Sequence, residues 1–221
     1  MTVEEKYSYC IQKFEETMPN PKTELNYRNP FELLVAVILS AQCTDKRVNM
    51  ITPNLFKAYP TAEKMAQASE KQIFDLIQSC SYPQNKAKHL KHMAIMLHNE
   101  FHDEIPDDVE EMQKLPGVGR KTANVMAAVI FNKPAMAVDT HVFRVSARIG
   151  LVHNAKTPLE TEKQLMRHIP KDKVHDMHHW LILHGRYTCK AINPECTNCP
   201  ITQACATFNH ETDSTKDLSL F

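Results

Sequence analysis

The chain has 221 residues, which is enough for one large domain or for two smaller domains that share a cleft. Its 26 basic and 26 acidic side chains cancel, which excludes a protein that binds nucleic acid through overall positive charge. Any contact with nucleic acid must therefore come from a local basic surface. The four glycines are few for an all-β protein, whose tight turns need many.

The first residues, MTVEEKYSYC, lack the apolar stretch of a signal peptide. The longest apolar run, FELLVAVILSA, is roughly half the length of a membrane span. We therefore expect a soluble cytoplasmic protein that does not interact with membranes. Four of the seven cysteines crowd near the C-terminus, and in a reducing compartment such crowding indicates metal binding.

Helix signals recur along the whole chain. Three residues suited to the N-cap position are each followed, three positions later, by a glutamate or a glutamine: Asn29, Ser69 and Thr157. Another short helix is expected to open at Asp107–Glu110, and Gly185 is expected to end a helix. The alternation typical of strands is missing, so the pattern predicts an all-α fold of about ten helices.

The C-terminal cysteines form the pattern C-x6-C-x2-C-x5-C: Cys189, Cys196, Cys199 and Cys205. Four thiolates this close in sequence suit either a structural Zn²⁺ ion or a [4Fe–4S] cluster, and the spacing does not decide between them. The other three cysteines are expected to be small buried side chains: Cys10, Cys43 and Cys80.

The segment LPGVGRKT, residues 115–122, joins two helical stretches and places Gly117 and Gly119 on either side of Val118. Glycines let the backbone turn sharply, and the amides that follow lie at a helix N-terminus, where partial positive charge favours an anion. We predict that this turn holds a DNA phosphate. A glycine turn with no ligand is the alternative, but the flanking Pro and Arg-Lys-Thr make the segment similar to a helix-hairpin-helix motif.

Two side chains are candidates for catalysis. Lys121 lies in the first turn of the helix after the hairpin, where the helix dipole disfavours a cation and so favours a neutral, nucleophilic amine. Asp139 precedes another helix, and its carboxylate could stabilise positive charge on a reacting sugar or accept the lysine proton. Taken singly, each has a simpler explanation, Lys121 as a phosphate contact and Asp139 as an N-cap.

Together, LPGVGRKTANV, AVDTHVFRV, HHWLILHGRYTC and the cysteine spacing resemble the bacterial endonuclease III family over nearly the whole chain. The resemblance implies a two-domain helix-hairpin-helix DNA glycosylase fold. A six-helix domain would comprise residues 23–133, and an iron–sulfur cluster domain would combine residues 1–22 with 134–209. The polar tail, residues 210–221, is expected to be frayed.

The resemblance further implies a [4Fe–4S] cluster held by the four C-terminal cysteines. It identifies Lys121 as the nucleophile that forms a Schiff base, with Asp139 as its acidic partner. The expected enzyme removes oxidised pyrimidines from double-stranded DNA by N-glycosidic cleavage and then nicks the abasic site 3′ by β-elimination. Its expected partner is duplex DNA that contains damaged pyrimidines or abasic sites, and it is expected to be a monomer.

The resemblance also suggests which residues contact DNA. It places Gln42 in the hole left by a flipped nucleotide and Asp45 near the active site. The family's bulky apolar wedge is replaced by Ser-Tyr-Pro, which makes Tyr82 the candidate wedge, with a surface turn as the alternative. The loop that contains Lys190 is less basic than in the family, because Glu195 opposes that lysine. The full set of expected DNA contacts is Gln42, Asp45, Tyr82, Leu115, Gly117, Val118, Gly119, Arg120, Thr122, His141 and Lys190.

Two local basic surfaces could meet the requirement set by the neutral net charge. The first is formed by basic residues of the C-terminal part, with four histidines as additional donors: Lys163, Arg167, Lys171, Lys173, Arg186 and Lys190, with His175, His178, His179 and His184. The second surface includes the hairpin lysine and four other basic residues: Lys86, Lys88, Lys91, Arg120 and Lys121.

Two other functions fit parts of the pattern. A related adenine glycosylase shares the hairpin and the cluster, but it lacks the hairpin lysine, uses a glutamate on an early helix and carries a further C-terminal domain. A non-catalytic helix-hairpin-helix module with a structural metal would bind duplex DNA without releasing a base. The joint presence of Lys121 and Asp139 argues against this second alternative.

Overall fold

A computed structural model describes residues 1–209, and its regular secondary structure is helical throughout, with no strand among those residues. The all-α prediction is therefore confirmed. None of the described helices combines the length and the apolar character that crossing a membrane requires. The predicted frayed tail, residues 210–221, lies outside the described residues. The α-helices are α1 (Val3–Thr17), α2 (Pro30–Ser40), α3 (Asp45–Ala58), α4 (Ala62–Gln67), α5 (Glu70–Ile77), α6 (Pro83–Phe101), α7 (Val109–Met112), α8 (Arg120–Val129), α9 (Thr140–Ile149), α10 (Pro158–His168) and α11 (Val174–Tyr187).

The predicted N-caps are confirmed. The Asn29 side chain accepts a hydrogen bond from the backbone N–H of Glu32 at 2.9 Å, with a proline in the first turn that follows. Ser69 and Thr157 each form a reciprocal capping box with the residue three positions later. Local sequence alone therefore determines where α2, α5 and α10 begin.

The chain divides into two compact units. The continuous unit comprises Thr23–Lys133, and the composite unit combines Met1–Lys22 with the described residues that follow Lys133. In the continuous unit, every residue of α2 from 31 to 39 is buried, and α3, α6 and α8 pack against this helix. A helix that is apolar on all sides needs such neighbours on all sides, so α2 is the centre of the unit. Helices α4 and α5 pack against α6.

The composite unit joins the N-terminal helix to the C-terminal helices through one apolar core. The ring of Phe14 on α1 stacks on Trp180 of α11, with 5.9 Å between the centroids. Two polar atoms within this core find backbone acceptors, as buried polar groups must. The Trp180 Nε1–H donates to the carbonyl of Met18 at 2.8 Å, and the Tyr7 hydroxyl donates to the carbonyl of Leu151 at 2.8 Å.

Gly185 does not end a helix, because α11 continues through it to Tyr187. A Cβ atom at this position would lie 2.9 Å from the Cβ of His141 and 3.0 Å from Cγ2 of Val145. Glycine inside a helix costs about 1 kcal/mol relative to alanine. The reason for glycine here is tertiary packing, because side chains of α9 occupy the space that a side chain at Gly185 would need.

Three of the four histidines expected on a basic surface are buried instead: His178, His179 and His184. Burial, together with the neighbouring His178 and His175, lowers the pKa of His179 to about 3. Burial also lowers the pKa of His184 to about 4. The rings of His179 and His184 are therefore neutral, and His178 is buried as well, so the prediction that these three histidines add to a basic surface is wrong.

Candidate functional site

Two buried apolar side chains anchor the turn between α7 and α8. Leu115 and Val118 are 1% and 5% exposed, and the Val118 N–H donates to the Leu115 carbonyl at 3.0 Å. Because both side chains are buried, these two residues can offer only backbone atoms to a ligand. They determine the shape of the turn, and the exposed residues around them determine what it can bind.

The two glycines of the turn have different roles. Gly117 has φ +82°, and a Cβ added there would lie 2.9 Å from the Cβ of His89 on α6, so conformation and packing both require glycine. Gly119 has φ −93°, which any residue can adopt, and a Cβ there would meet nothing within 4 Å. The expectation that both glycines form the turn is therefore wrong for Gly119. What distinguishes Gly119 is the open space in front of it.

The first turn of α8 is a site where an anion would be favoured. Gly119 is the N-cap and supplies no side-chain acceptor, and the first turn contains no acidic residue. The amides at this helix start therefore keep their partial positive charge and point out of the helix. Arg120 and Lys121 are exposed and Thr122 is half-buried, which adds two cationic side chains next to those amides.

Asp139 is the N-cap of α9, as the simpler explanation expected. Its Oδ1 atom accepts hydrogen bonds from the backbone N–H groups of His141 and Val142, both at 2.8 Å. Among the described residues no hydrogen bond to the other oxygen, Oδ2, is present, and the side chain is half-buried. Capping thus uses one oxygen of this carboxylate and leaves the second for another contact. The structural and the chemical roles are compatible.

The start of α9 is tied to the segment that carries the cysteines. Arg144 donates through Nη2 to the carbonyls of Gly185 at 2.9 Å and Cys189 at 3.1 Å, and this nitrogen lies 3.3 Å from Nδ1 of His141. Carbonyls at the end of a helix lack partners within the helix, so an arginine there stabilises the end of α11. His141, expected to contact DNA, is half-buried in this group.

The loop after Cys189 carries little free positive charge. Nζ of Lys190 lies 2.5 Å from Oε1 of Glu195 within the same loop. Arg148 of α9 donates through Nη1 to the Lys190 carbonyl at 2.7 Å and through Nη2 to the Ala191 carbonyl at 3.0 Å. Of the predicted first basic surface, Lys173 is likewise paired with an acid, Glu15. Charge counting in the sequence therefore overestimates the positive charge that this region can offer to a phosphate.

The four C-terminal cysteines lie around two 3₁₀ turns, Cys196–Asn198 and Thr202–Ala204, and all four are half-buried. Burial, together with electrostatic repulsion from the other three cysteines, raises the pKa of the Cys199 thiol to about 11. The four sulfurs are thus near enough to interact. Of the remaining cysteines, Cys10 and Cys80 are buried, as predicted, and Cys43 is half-buried.

The donor set at these cysteines consists of four thiols and a nearby cation. Nη1 of Arg148 lies 3.6 Å from Sγ of Cys189, and Nε2 of His184 lies 3.7 Å from Sγ of Cys199. As placed, no three His, Cys, Asp or Glu side chains within residues 1–209 converge on a point that could hold one metal ion. The composition of the set, all sulfur and partly shielded from water, suits a thiophilic metal centre.

Lys86 is not part of a basic surface, which corrects the second predicted surface. The residue is 5% exposed, and its Nζ donates to the carbonyls of Leu39 at 2.8 Å and Ala41 at 2.7 Å. Lys88 is exposed and Lys91 half-buried on the same helix. The amine of Lys86, which the sequence placed on a basic surface, therefore bonds to the end of α2 instead.

Gln42 and Tyr82 are both exposed and both left-handed, with φ of 54° and 53°. Tyr82 is 64% exposed and stands at the N-cap of α6. The other non-glycine residues with positive φ in the described part of the chain belong to types that tolerate this region: His102, Asp103, Asn132, Asn154 and Asn193. Gln42 and Tyr82 do not, and holding each in that conformation costs about 1–3 kcal/mol.

The loops of Gln42 and Tyr82 are neighbours. The Ser81 hydroxyl donates to the Gln42 carbonyl at 2.6 Å and lies 3.4 Å from the Ala41 carbonyl. Asp45, expected near the active site, is the first residue of α3 and is half-buried. The structure thus brings two predicted DNA-contact residues together through a serine that the sequence analysis did not identify.

The predicted site residues fall into two groups. The continuous unit carries the hairpin with Lys121 and the adjoining loops of Gln42 and Tyr82, and the composite unit carries Asp139 and the cysteines. Sequence reasoning missed four residues that hold these groups in place: Ser81, Lys86, Arg144 and Arg148. No sequence signal could have identified them, because their partners are backbone carbonyls about 40 residues away.

The chain is similar to known proteins over most of its length. Residues 35–171 match the family model described as HhH-GPD superfamily base excision DNA repair protein. Endonuclease III of Rickettsia felis is 47% identical over 196 residues, covering 89% of this chain and 92% of that protein. Endonuclease III of Bacillus subtilis is 45% identical over 197 residues, covering 89% and 90%.

The fold of this chain is also similar to that of a solved endonuclease III structure. The structure of a trapped endonuclease III–DNA covalent intermediate, an estranged-adenine complex, superposes on this chain with a TM-score of 0.90. It is 42% identical, and the match covers 96% of this chain and all of the other.

Proposed function

The chain belongs to the endonuclease III family of the HhH-GPD superfamily of base excision DNA repair proteins, and we propose that it both excises oxidised pyrimidines and nicks the resulting abasic site. It is a DNA glycosylase of base excision repair, and duplex DNA is its substrate. The observation that carries the lyase part of the proposal is the position of Lys121. This lysine is exposed in the first turn of α8, directly after a hairpin whose amides are open to a phosphate.

We propose that the hairpin binds the DNA backbone. Its amides and Gly119 would receive a phosphate oxygen without reading the base sequence, as phosphate contacts do. The clearance in front of Gly119 supports this role, since no side chain within residues 1–209 occupies that space. Lys121 would then face the sugar adjacent to the bound phosphate.

Base release requires the damaged nucleotide to leave the stack, at a cost of a few kcal/mol. The neutral amine of Lys121 would attack C1′, a nitrogen–carbon bond would form, and the glycosidic bond would break. The departing base would take up a proton. Asp139 would stabilise the positive charge that develops at C1′ and accept a proton from the attacking amine through its second oxygen.

Strand cleavage would follow from the same covalent bond. Opening of the sugar ring gives an imine between Lys121 and C1′, and the imine acidifies the proton at C2′. Removal of that proton expels the 3′ phosphate by β-elimination, and hydrolysis of the imine returns the lysine. Neither step transfers an electron between the protein and its substrate.

We propose that Cys189, Cys196, Cys199 and Cys205 hold a [4Fe–4S] cluster. The four interacting, half-buried thiols support it, and so does family membership. When bound, the cluster would supply a structural crosslink between the segments that carry these four cysteines. Arg148 and Arg144 would transmit that order to α9, because they bond to the backbone of the same loop.

We further propose that the enzyme works in the bacterial cytoplasm, where its substrate is. Gln42 and Tyr82 would contact the bases around the flipped nucleotide, the glutamine through its amide and the tyrosine by stacking. Lys190 makes a small contribution at most, because Glu195 pairs with it.

Borohydride trapping on a duplex with one thymine glycol tests the nucleophile. The wild-type protein is expected to form a covalent adduct, and Lys121→Ala is expected to lose trapping and cleavage by at least ~1000-fold, as loss of a nucleophile does. Lys114→Ala, which removes another exposed lysine near the hairpin, serves as the control and should trap normally. Wild-type protein that binds but neither traps nor cleaves, on this duplex or on an abasic one, would indicate a DNA-binding module.

Substitution of Asp139 separates capping from chemistry. Asp139→Asn keeps a good N-cap and should change the free energy of unfolding little, whereas Asp139→Ala should lose about 1 kcal/mol. Both variants should release thymine glycol at least ~100-fold more slowly, because both lack the negative charge. Urea unfolding and single-turnover base release measure the two effects. An Asp139→Asn enzyme with full activity would leave Asp139 with a structural role only.

Substitutions of the two hairpin glycines test phosphate binding. A serine at Gly119 can cap the first turn of α8, so Gly119→Ser should keep or raise stability by up to about 1 kcal/mol. Its hydroxyl would compete with the phosphate, and affinity for a duplex with a tetrahydrofuran abasic analogue should fall about tenfold. Gly117→Ala should instead destabilise the fold by about 1–2 kcal/mol, because its φ is positive. Unchanged affinity of Gly119→Ser would exclude a phosphate at this turn.

Metal analysis of cysteine variants tests the cofactor. The purified protein should contain iron and acid-labile sulfide, and Cys199→Ser should lose most of both together with part of its thermal stability. Cys43→Ser removes a cysteine outside the C-terminal set and should keep the cluster. Zinc without sulfide in the wild-type protein would show that the four thiols hold a structural zinc ion instead.

A further inference from the structure

The amine of Lys86 occupies an unusual place for a lysine. The residue is 5% exposed, and none of its hydrogen-bond contacts in the described part of the chain is to a carboxylate. Instead its Nζ donates to the carbonyls of Leu39 and Ala41, at the C-terminal end of α2. Carbonyls at a helix end carry partial negative charge, so this is where a buried cation can be stabilised without an acid.

The same amine contacts the second loop. It lies 3.2 Å from Sγ of Cys80 and 3.4 Å from Oγ of Ser81. Burial raises the pKa of the Cys80 thiol, so this group stays protonated and donates to the Leu39 carbonyl at 3.4 Å. One amine therefore bonds to the end of α2 on one side and to the residues that lead into α6 on the other.

The residues immediately after these contacts are the two strained ones. Gln42 follows Ala41, and Tyr82 follows Ser81. Left-handed residues of these types persist only where the surrounding structure determines the backbone on both sides. Lys86 supplies that restraint to both loops, and the bond from Ser81 to the Gln42 carbonyl joins them directly.

We propose that Lys86 is a positioning residue for DNA recognition, which fixes Gln42 and Tyr82 together in the backbone conformation in which they contact the bases around a flipped nucleotide. It does not touch DNA itself, and its charge serves the protein interior. This inference rests on the proposed function, because it assumes that Gln42 and Tyr82 contact DNA. It assigns Lys86 a role opposite to that of a phosphate-binding lysine.

A double-mutant cycle on the full-length holoenzyme tests the proposal. Affinity for a duplex with a tetrahydrofuran abasic analogue is measured for wild type, Lys86→Met, Gln42→Ala and the double variant. Lys86→Met keeps the apolar stem and removes the amine. We expect each single variant to bind about tenfold more weakly and the double variant to be no weaker than Lys86→Met alone, because a glutamine that is no longer positioned contributes nothing further.

Two further variants make the result specific. Lys64→Met removes an exposed lysine of the same unit and should bind as wild type does. Ser81→Ala removes only the bond between the loops and should show part of the Lys86→Met effect, which keeps the test valid if Lys86→Met does not fold. A positioning role also predicts that Lys86→Met leaves the salt dependence of binding unchanged, whereas a phosphate contact would reduce its slope by about 1.

Independent losses that add in the double variant would overturn the proposal, as would a Gln42→Ala protein that binds normally or a reduced salt slope for Lys86→Met. Borohydride trapping by the wild-type protein keeps the two questions apart. Trapping with additive losses overturns only the role of Lys86, whereas absence of trapping overturns the proposed function.

Discussion

An α-helix leaves N–H groups at its start and C=O groups at its end without partners inside the helix, and the functional parts of this protein depend on how those groups are satisfied. The start of α8 has no side-chain cap and faces open space, while Asp139 caps the start of α9. Lys86 donates hydrogen bonds to carbonyls at the end of α2, and Arg144 donates to a carbonyl at the end of α11. The proposed anion binding, the proposed catalysis and the loop geometry would all depend on these helix ends.

At Asp139, helix capping and the proposed chemistry would use the same side chain. A carboxylate that accepts two backbone N–H bonds is held rigidly, so its second oxygen has a fixed direction without additional contacts. Preorganised charge of this kind needs no rearrangement when positive charge develops in a reaction. Helix α9 as a whole also combines several roles, since Arg144 and Arg148 on it bond to the backbone of the cysteine loop.

Local sequence signals predicted much of this protein, because capping and turn formation involve residues within a few positions of each other. The N-caps Asn29, Ser69 and Thr157 were predictable for that reason, and the all-α fold, the family and the glycosylase function are confirmed. Burial was not predictable. Lys86 and His179 look like surface cations in the sequence, and only tertiary contacts remove them from the surface. Gly185 looks like a helix end, because the sequence does not show that α9 packs there.

The chain contains only four glycines, and three of them have an explanation inside the molecule. Gly117 and Gly150 have positive φ, and Gly185 accommodates the contact between α9 and α11. Gly119 needs neither the conformation nor the space that the protein itself would take up. In a sequence that uses glycine so rarely, the missing side chain at Gly119 leaves room for the DNA backbone that we propose this turn binds.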